Sequence, residues 1–270
     1  EQGKTDIQRE VREKLLNRLG LSGQLQWTRL ITSDRAVVKQ AEQLAKYQNG
    51  QNYVETRKLL EKIKAKVTME IPQNKQFIIE TEALLDYYEK KIGNEQFVKL
   101  DTEALRYTLG SEDVIRNKNV YLTEMEIKCI RNRWKGLEKN RKIEEIKFLL
   151  DIYYKYSLKN EIANAISMYE FVTEGAVSEL GNLGEHELAI QIDRQSIKES
   201  LKCRRLVHMD YKLYDILWNK QEMANEKEDK ADLKKMADEL KSCISISHYT
   251  KRFFYEKIYR DKLVNVHCQD

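Results

Sequence analysis

The sequence predicts an all-α protein: a right-handed superhelical array of antiparallel helix pairs, closed by a C-terminal capping helix. Three observations favour this class. The 270 residues include only one proline and ten glycines, so few positions interrupt a helix. Apolar residues recur at helical spacing along most of the chain. The breaks between paired helices fall near residues 50, 93, 140, 184 and 225. Steps of more than 40 residues with two helices per step are typical of a helical solenoid.

The chain opens with a predicted helix over residues 4–19, which ends at Gly20. Ser33 or Asp34 is expected to cap the next helix, because a short oxygen-bearing side chain accepts hydrogen bonds from free backbone N–H groups. That helix breaks at residues 49–50, and its partner is predicted over about 52–67.

The second pair is predicted to begin after Pro72, to turn at Gly93 and to end at Gly110, followed by a polar loop over 111–119. The third pair has its first helix over 122–137 and turns near residue 140.

The fourth pair turns at Asn182, Leu183 and Gly184. Its second helix is predicted to bury one face, and the small residues Ala176, Gly181 and Ala189 mark where the two helices approach closely. The predicted face consists of Leu188, Ala189, Ile192, Ser196 and Ile197.

The fifth pair begins near Arg204 and carries a solvated charged run at 226–230. An aromatic helix over about 247–264 follows, and we interpret it as a cap or an oligomer contact. Together these elements predict three segments. They are a linker helix and connection from a missing N-terminal DNA-binding domain over 1–33, a repeat domain over 34–266 and a tail over 267–270.

Composition narrows the class of function. The formal net charge is +4, from 48 basic and 44 acidic residues. A chain with so small a net charge lacks the strong positive potential that is typical of a dedicated nucleic-acid-binding protein. No apolar run reaches the roughly 20 residues of a membrane span. The four cysteines lie far apart in the sequence, which favours a reducing, cytoplasmic location.

The sequence carries no pattern of catalytic chemistry. The four histidines are scattered, and there is no glycine-rich phosphate loop, HExxH motif or nucleophile elbow. Cys243 and His248 lie five residues apart, but a buried structural cysteine explains Cys243 better than a metal ligand does. We therefore expect no enzyme activity, no metal and no cofactor.

A peptide-binding groove is the functional hypothesis that helix geometry supports. In stacked helix pairs the first helices line the concave surface, and positions beside the core can be identified at helical spacing. Amides can bond a peptide main chain, aromatic rings provide apolar pockets, and a guanidinium binds a carboxylate. The candidates are Lys128, Arg131, Lys135, Phe171, Glu174, Ser178, Asn182, His208, Tyr211, Asp215, Trp218 and Asn219.

Six of the candidates also have a specific structural interpretation. Lys128, Arg131 and Lys135 are more typical of an ordinary solvated face than of a binding site. Trp218 and Tyr211 fit a core or dimer contact if the helical register differs by one residue. Asn182 also fits a simple helix terminus beside the glycine that follows it.

Several short motifs carry a resemblance to known families. Residues 183–190 (LGEHELAI) resemble the start of a tetratricopeptide second helix, with His186 and Asp193 at positions that are normally aromatic. Four further stretches resemble the sensor half of Firmicutes helix-turn-helix regulators of the Rgg/PlcR-like peptide-pheromone group. These are residues 13–22 (EKLLNRLGLS), 74–77 (NKQF), 103–109 (EALRYTL) and 121–130 (YLTEMEIKCI).

The resemblance implies a cytosolic transcription regulator whose repeats bind an oligopeptide and form a homodimer. DNA contact would belong to a domain absent from this chain, and no membrane association is implied. The alternative is a scaffold that docks a protein partner through the same groove without a role in transcription.

Overall fold

The computed structural model describes residues 30–110, 122–156, 163–206, 208–226 and 233–267. The described part is helical, and no strand occurs in it, so the predicted all-α class of helix pairs is confirmed. Within the same ranges, no helix is both long and apolar enough to cross a bilayer. The chain divides into two compact units, residues 1–148 and 149–270.

The first unit contains two helix pairs and the start of a third. Its helices are α1 (Arg35–Asn49), α2 (Tyr53–Lys64), α3 (Pro72–Tyr88), α4 (Asn94–Leu109), α5 (Glu124–Arg133) and α6 (Lys139–Tyr156), of which α6 crosses the division between the units. Sequential helices α1 to α5 pack against one another. Their core is aliphatic and aromatic, with Leu44, Leu60, Ile63 and Phe77 almost completely buried.

Local sequence explains where these helices begin. Asp34 caps α1 through a 2.7 Å hydrogen bond from the Ala36 backbone N–H to Oδ1, as predicted. Thr123 and Glu126 form a capping box at the start of α5, in which each side chain accepts from the other residue's backbone N–H.

The second unit contains α7 (Ala163–Asn182), α8 (His186–Lys202), α9 (Met209–Glu226), α10 (Leu233–Tyr249) and α11 (Phe253–His267). Each packs against the next, and α7 also touches α9. The turn between α7 and α8 is the predicted one. Gly184 has a φ of +75°, a conformation that glycine adopts without steric cost.

The last helix begins at Phe253 and not near residue 247, because residues 247–249 are the end of α10. Two further details differ from the sequence-based prediction. The third turn lies earlier than residue 140, because α5 ends at Arg133 and a short 3₁₀ helix over Trp134–Gly136 leads into α6. On α8, Ala189 and Ser196 are buried as predicted, but Leu188, Ile192 and Ile197 are only half-buried, and Asp193, which was not placed on this face, is buried. The difference on α8 determines the character of the candidate site.

Other predicted elements lie outside the described residues. They are the helix over 4–19, the loop over 111–119 and most of the charged run over 226–230.

Candidate functional site

A line of buried polar side chains runs between α7, α8 and α9. Residues 170, 173 and 174 of α7 share one face, because residues three or four positions apart are neighbours on a helix. Opposite them, α8 presents Asp193 and Ser196. Thr173 Oγ1 and Ser196 Oγ lie 3.1 Å apart, which fixes the register of the two helices.

One end of this line is closed and internally satisfied. Glu170 is 2% exposed and accepts from Ser200 Oγ at 2.8 Å and from Arg205 Nη2 at 3.1 Å. Lys212, fully buried on α9, donates to Ser200 Oγ at 2.7 Å and lies 3.4 Å from Glu170. Each charge has an opposite partner here, so this network joins the three helices and offers no open position.

The next turn along the line is different, and we call its four residues the acidic cluster: Glu174 on α7, Asp193 on α8, His208 before α9 and Asp215 on α9. Exposure decreases inward. The side chains of His208 and Glu174 are 36% and 19% exposed, Asp215 is partly buried, and Asp193 is 1% exposed. The cluster is therefore open to solvent at one end and buried at the other.

Hydrogen bonding in the acidic cluster is incomplete. His208 Nδ1 lies 2.9 Å from Glu174 Oε1, but the two atoms are outside hydrogen-bonding geometry. Oδ2 of Asp193 and Oδ2 of Asp215 are buried and have no hydrogen-bond partner. Buried polar atoms in native proteins nearly always have a partner, so these two oxygens are unusual.

The two aspartates are also electrostatically perturbed. The pKa of Asp193 is raised to about 9, mainly by burial and then by repulsion from Asp215 and Glu174, while the positive charge of Lys212 partly lowers it. The pKa of Asp215 is raised to about 8, mainly by burial and then by repulsion from Glu174, while a hydrogen bond from Tyr211 partly lowers it. At neutral pH both carboxyls therefore hold protons that a solvated aspartate releases.

The loop that positions His208 has an uncommon backbone. His208 has a φ of 64°, in the left-handed region that residues other than glycine seldom adopt. This conformation directs the imidazole to Glu174 immediately before α9 begins at Met209. Within the described ranges, no group of three or more His, Cys, Asp or Glu side chains is arranged to hold a metal ion.

Beyond the acidic cluster, the line of buried polar side chains ends at the amide of Asn219, which is buried between the helices. Asn219 is 1% exposed; its Nδ2 donates to the Asp215 carbonyl at 2.8 Å, and its Oδ1 lies 2.8 Å from His186 Nδ1. Trp218 packs edge-on to His186 and covers Gly181. The structure therefore places the Asn219 side chain within the helix packing, where it cannot meet a ligand from solvent.

The remaining second-unit candidates lie around this line. Ser178 and Asn182 are exposed on α7, and Phe171 is half-buried. Tyr211 is half-buried on α9, and its ring meets that of Tyr255 at a centroid distance of 5.9 Å. Of the twelve candidates, the structure brings Glu174, His208, Tyr211 and Asp215 together.

The first-unit candidates belong to separate surroundings. Lys128 donates to the fully buried Glu80 at 3.1 Å, and Asn132 donates to the same carboxylate at 3.0 Å. Burial and the nearby Glu80 hold the pKa of Asp101 well above its usual range. The Lys128 ammonium therefore balances two buried acids and is not an ordinary solvated charge.

Arg131 and Lys135 flank that arrangement. Arg131 is half-buried on α5. Lys135 Nζ lies 5.5 Å from the centre of the Tyr87 ring, within cation–π range.

Sequence reasoning did not include Asp193 among the site residues. A signal for it existed, because Asp193 and His186 are the two departures from the tetratricopeptide pattern, and both are buried polar groups of this line.

Fold and site together define a helical-repeat protein with a polar, partly open seam between three helices. A solved structure similar to this chain is that of Bacillus thuringiensis PlcR in complex with the peptide PapR7 and DNA. The match has a TM-score of 0.62 and 16% sequence identity, and it covers 92% of this chain and 83% of that one. Neither a protein-family model nor a curated protein sequence matches the chain. At this identity the likeness establishes the fold.

Proposed function

We propose that residues 34–266 form the ligand-sensing, dimerising helical-repeat domain of a bacterial transcription regulator in the cytoplasm, and that they bind a short peptide. The observation that most supports this proposal is the fold shared, over 92% of the chain, with a protein solved in complex with a peptide and DNA. In this proposal DNA contact belongs to a helix-turn-helix segment outside 34–266, connected through residues 1–33.

The surface around the acidic cluster is the peptide site in this proposal. Glu174 comes from α7, Tyr211 and Asp215 come from α9, and His208 lies just before α9; together they bring both acceptors and donors to one place. A peptide main chain alternates donors and acceptors, so such a surface matches its chemistry. Binding there would favour one arrangement of α7, α8 and α9 over another, which is the basis of sensing.

Dimerisation is supported by a separate surface at the turn between α10 and α11. Tyr249, Phe253 and Phe254 are 85%, 60% and 62% exposed. Neighbouring exposed aromatics are typical of a protein–protein contact. The same surface favours the alternative function, a scaffold that docks a different protein.

Two measurements test the proposal. Affinity selection of the chain against random heptapeptides, with mass spectrometric identification, is expected to enrich a set of related sequences. Light scattering is expected to give a dimer for the wild type and a monomer for the Phe253→Ser, Phe254→Ser double variant, whose altered side chains are exposed. Failure to enrich any peptide contradicts sensing, and a wild-type monomer contradicts dimerisation.

A further inference from the structure

We infer that the acidic cluster is a subsite for a cationic group, an ammonium or guanidinium, carried by the bound peptide. This inference rests on the proposed function, since it specifies the chemistry of the ligand of that site. Three observations support it. Two oxygens of the cluster lack hydrogen-bond donors, the neighbouring cations are paired with Glu170, and the cluster is open to solvent at Glu174 and His208.

Two buried carboxyl oxygens of the cluster have no hydrogen-bond partner. Asp193 is 99% buried, and its Oδ2, like Oδ2 of Asp215, has no donor. A buried acceptor without a partner is destabilising, and more so when the group is charged. A ligand that brings donors and positive charge removes this cost, whereas an acidic or purely apolar ligand does not.

The protein's own cations near the cluster are engaged elsewhere. Lys212 is directed to Ser200 and Glu170, and Arg205 is directed to Glu170. These cations therefore serve the closed end of the line. The charged and titratable groups that act on Asp193 are Glu174 from α7 and Lys212 and Asp215 from α9. Among these groups the one cation is already engaged, so a ligand cation is needed to balance the charge of Asp193 and Asp215 once they ionise.

The acidic cluster is accessible at the end formed by Glu174 and His208. The imidazole occupies the space in front of the Glu174 carboxylate, with His208 Nδ1 2.9 Å from Glu174 Oε1. Since this contact lacks hydrogen-bonding geometry, a ligand cation that donates to Glu174 can replace it. Such a cation would displace His208 from Glu174 and donate to Glu174 and Asp215, while Asp193 supplies negative charge from behind.

This arrangement has a thermodynamic consequence. A bound cation favours ionised carboxyls, so binding near neutral pH must release protons from Asp193 and Asp215. Releasing a proton becomes easier as the pH rises, and affinity should therefore increase from pH 6 towards the pKa values of about 8 and about 9. An electrically neutral ligand shows no such increase.

The experiment uses the whole chain and two random heptapeptide libraries, one with free and one with acetylated N-termini. Peptides with Lys or Arg should be enriched from both libraries if a side chain is the cation. Enrichment only from the free library identifies the N-terminal ammonium. Each selected peptide is then compared with its uncharged analogue, which carries citrulline, norleucine or an acetylated N-terminus, by isothermal titration calorimetry.

We expect the charged peptide to bind at least about tenfold more tightly than its analogue, since a charge-assisted hydrogen bond is stronger than a neutral one. Asp215→Asn should reduce this ratio towards one. The matched control Asp261→Asn removes an exposed carboxylate on α11 and should leave the ratio unchanged. Calorimetry in two buffers of different ionisation enthalpy should show proton release.

Selected peptides that lack any cation, or analogues that bind as tightly as the charged forms, overturn the inference while peptide sensing stands. If no peptide is enriched, sensing fails, and titration with argininamide and lysinamide decides on the subsite. Binding of either amide that Asp215→Asn abolishes supports the cation subsite, and absence of binding overturns it.

Discussion

Replacing the buried Asp193 by asparagine should stabilise the protein increasingly as the pH rises. The carboxyl has an ordinary pKa of 3.8 and a folded-state pKa of about 9, so between these values the folded chain holds a proton that the unfolded chain releases. Because the pKa is raised on folding, the free energy of unfolding falls as the pH rises through this window. Asparagine has nearly the same shape and does not titrate.

The magnitude follows from linkage. One group that keeps its proton only in the folded state changes the free energy of unfolding by about 1.4 kcal/mol per pH unit. Both pH 5 and pH 7 lie inside the window. Asp193 should therefore cost about 2.7 kcal/mol of stability between pH 5 and pH 7, and Asp193→Asn should remove this loss. Urea unfolding at the two pH values measures the difference between variant and wild type.

The control for this measurement is Asp261→Asn, which changes an exposed carboxylate and should show no comparable trend. A stability difference between Asp193→Asn and wild type that is the same at pH 5 and pH 7 would refute the assignment of a retained proton to this carboxyl. A difference that shrinks with rising pH would refute it as well.

Two further substitutions test the packing beside the acidic cluster. Gly181→Ala should destabilise the chain by about 1–3 kcal/mol, because its methyl group would lie 2.7 Å from the Trp218 ring. Gly50→Ala, whose methyl group would lie at an ordinary contact distance of 3.4 Å from the Lys46 carbonyl oxygen, serves as the control in thermal unfolding. Asn219→Ala should lower the free energy of unfolding by about 1–3 kcal/mol, because the buried His186 loses its 2.8 Å partner. An unchanged melting temperature for either Gly181→Ala or Asn219→Ala would contradict the packing described.

The helix pairs were predictable because their signals are local. Asp34 caps α1 and Gly184 turns the fourth pair for reasons contained in a few neighbouring residues. The third turn was predicted too late because its cause is tertiary. A Cβ at Gly136 would lie 2.6 Å from Val98 on α4, so this position depends on a helix distant in the sequence.

The buried face of α8 was less predictable, because hydrophobic periodicity does not detect hydrogen bonds between helices. Ser196 is buried since it meets Thr173, and Asp193 is buried among the acids of α7 and α9. Leu188 and Ile192 looked like core residues but remain half-buried.

The candidate site was predictable only in part for the same reason. Helical spacing selected Glu174 and Asp215, whose carboxyls lie close enough to interact in the structure, and it selected His208 although the residue precedes its helix. Asn219 lies at a similar spacing, but its amide is satisfied by His186 inside the packing. Sequence spacing gives the face of a residue and leaves its hydrogen-bond partner undetermined.

The most direct test of peptide sensing at the acidic cluster is photo-cross-linking of a selected heptapeptide that carries a diazirine beside its cationic residue. Cross-links mapped by mass spectrometry are expected in α7 and α9, and Asp215→Asn should reduce their yield while Asp261→Asn should not. Cross-links confined to the exposed aromatic turn between α10 and α11, or equal yields in both variants, would contradict peptide binding at the acidic cluster.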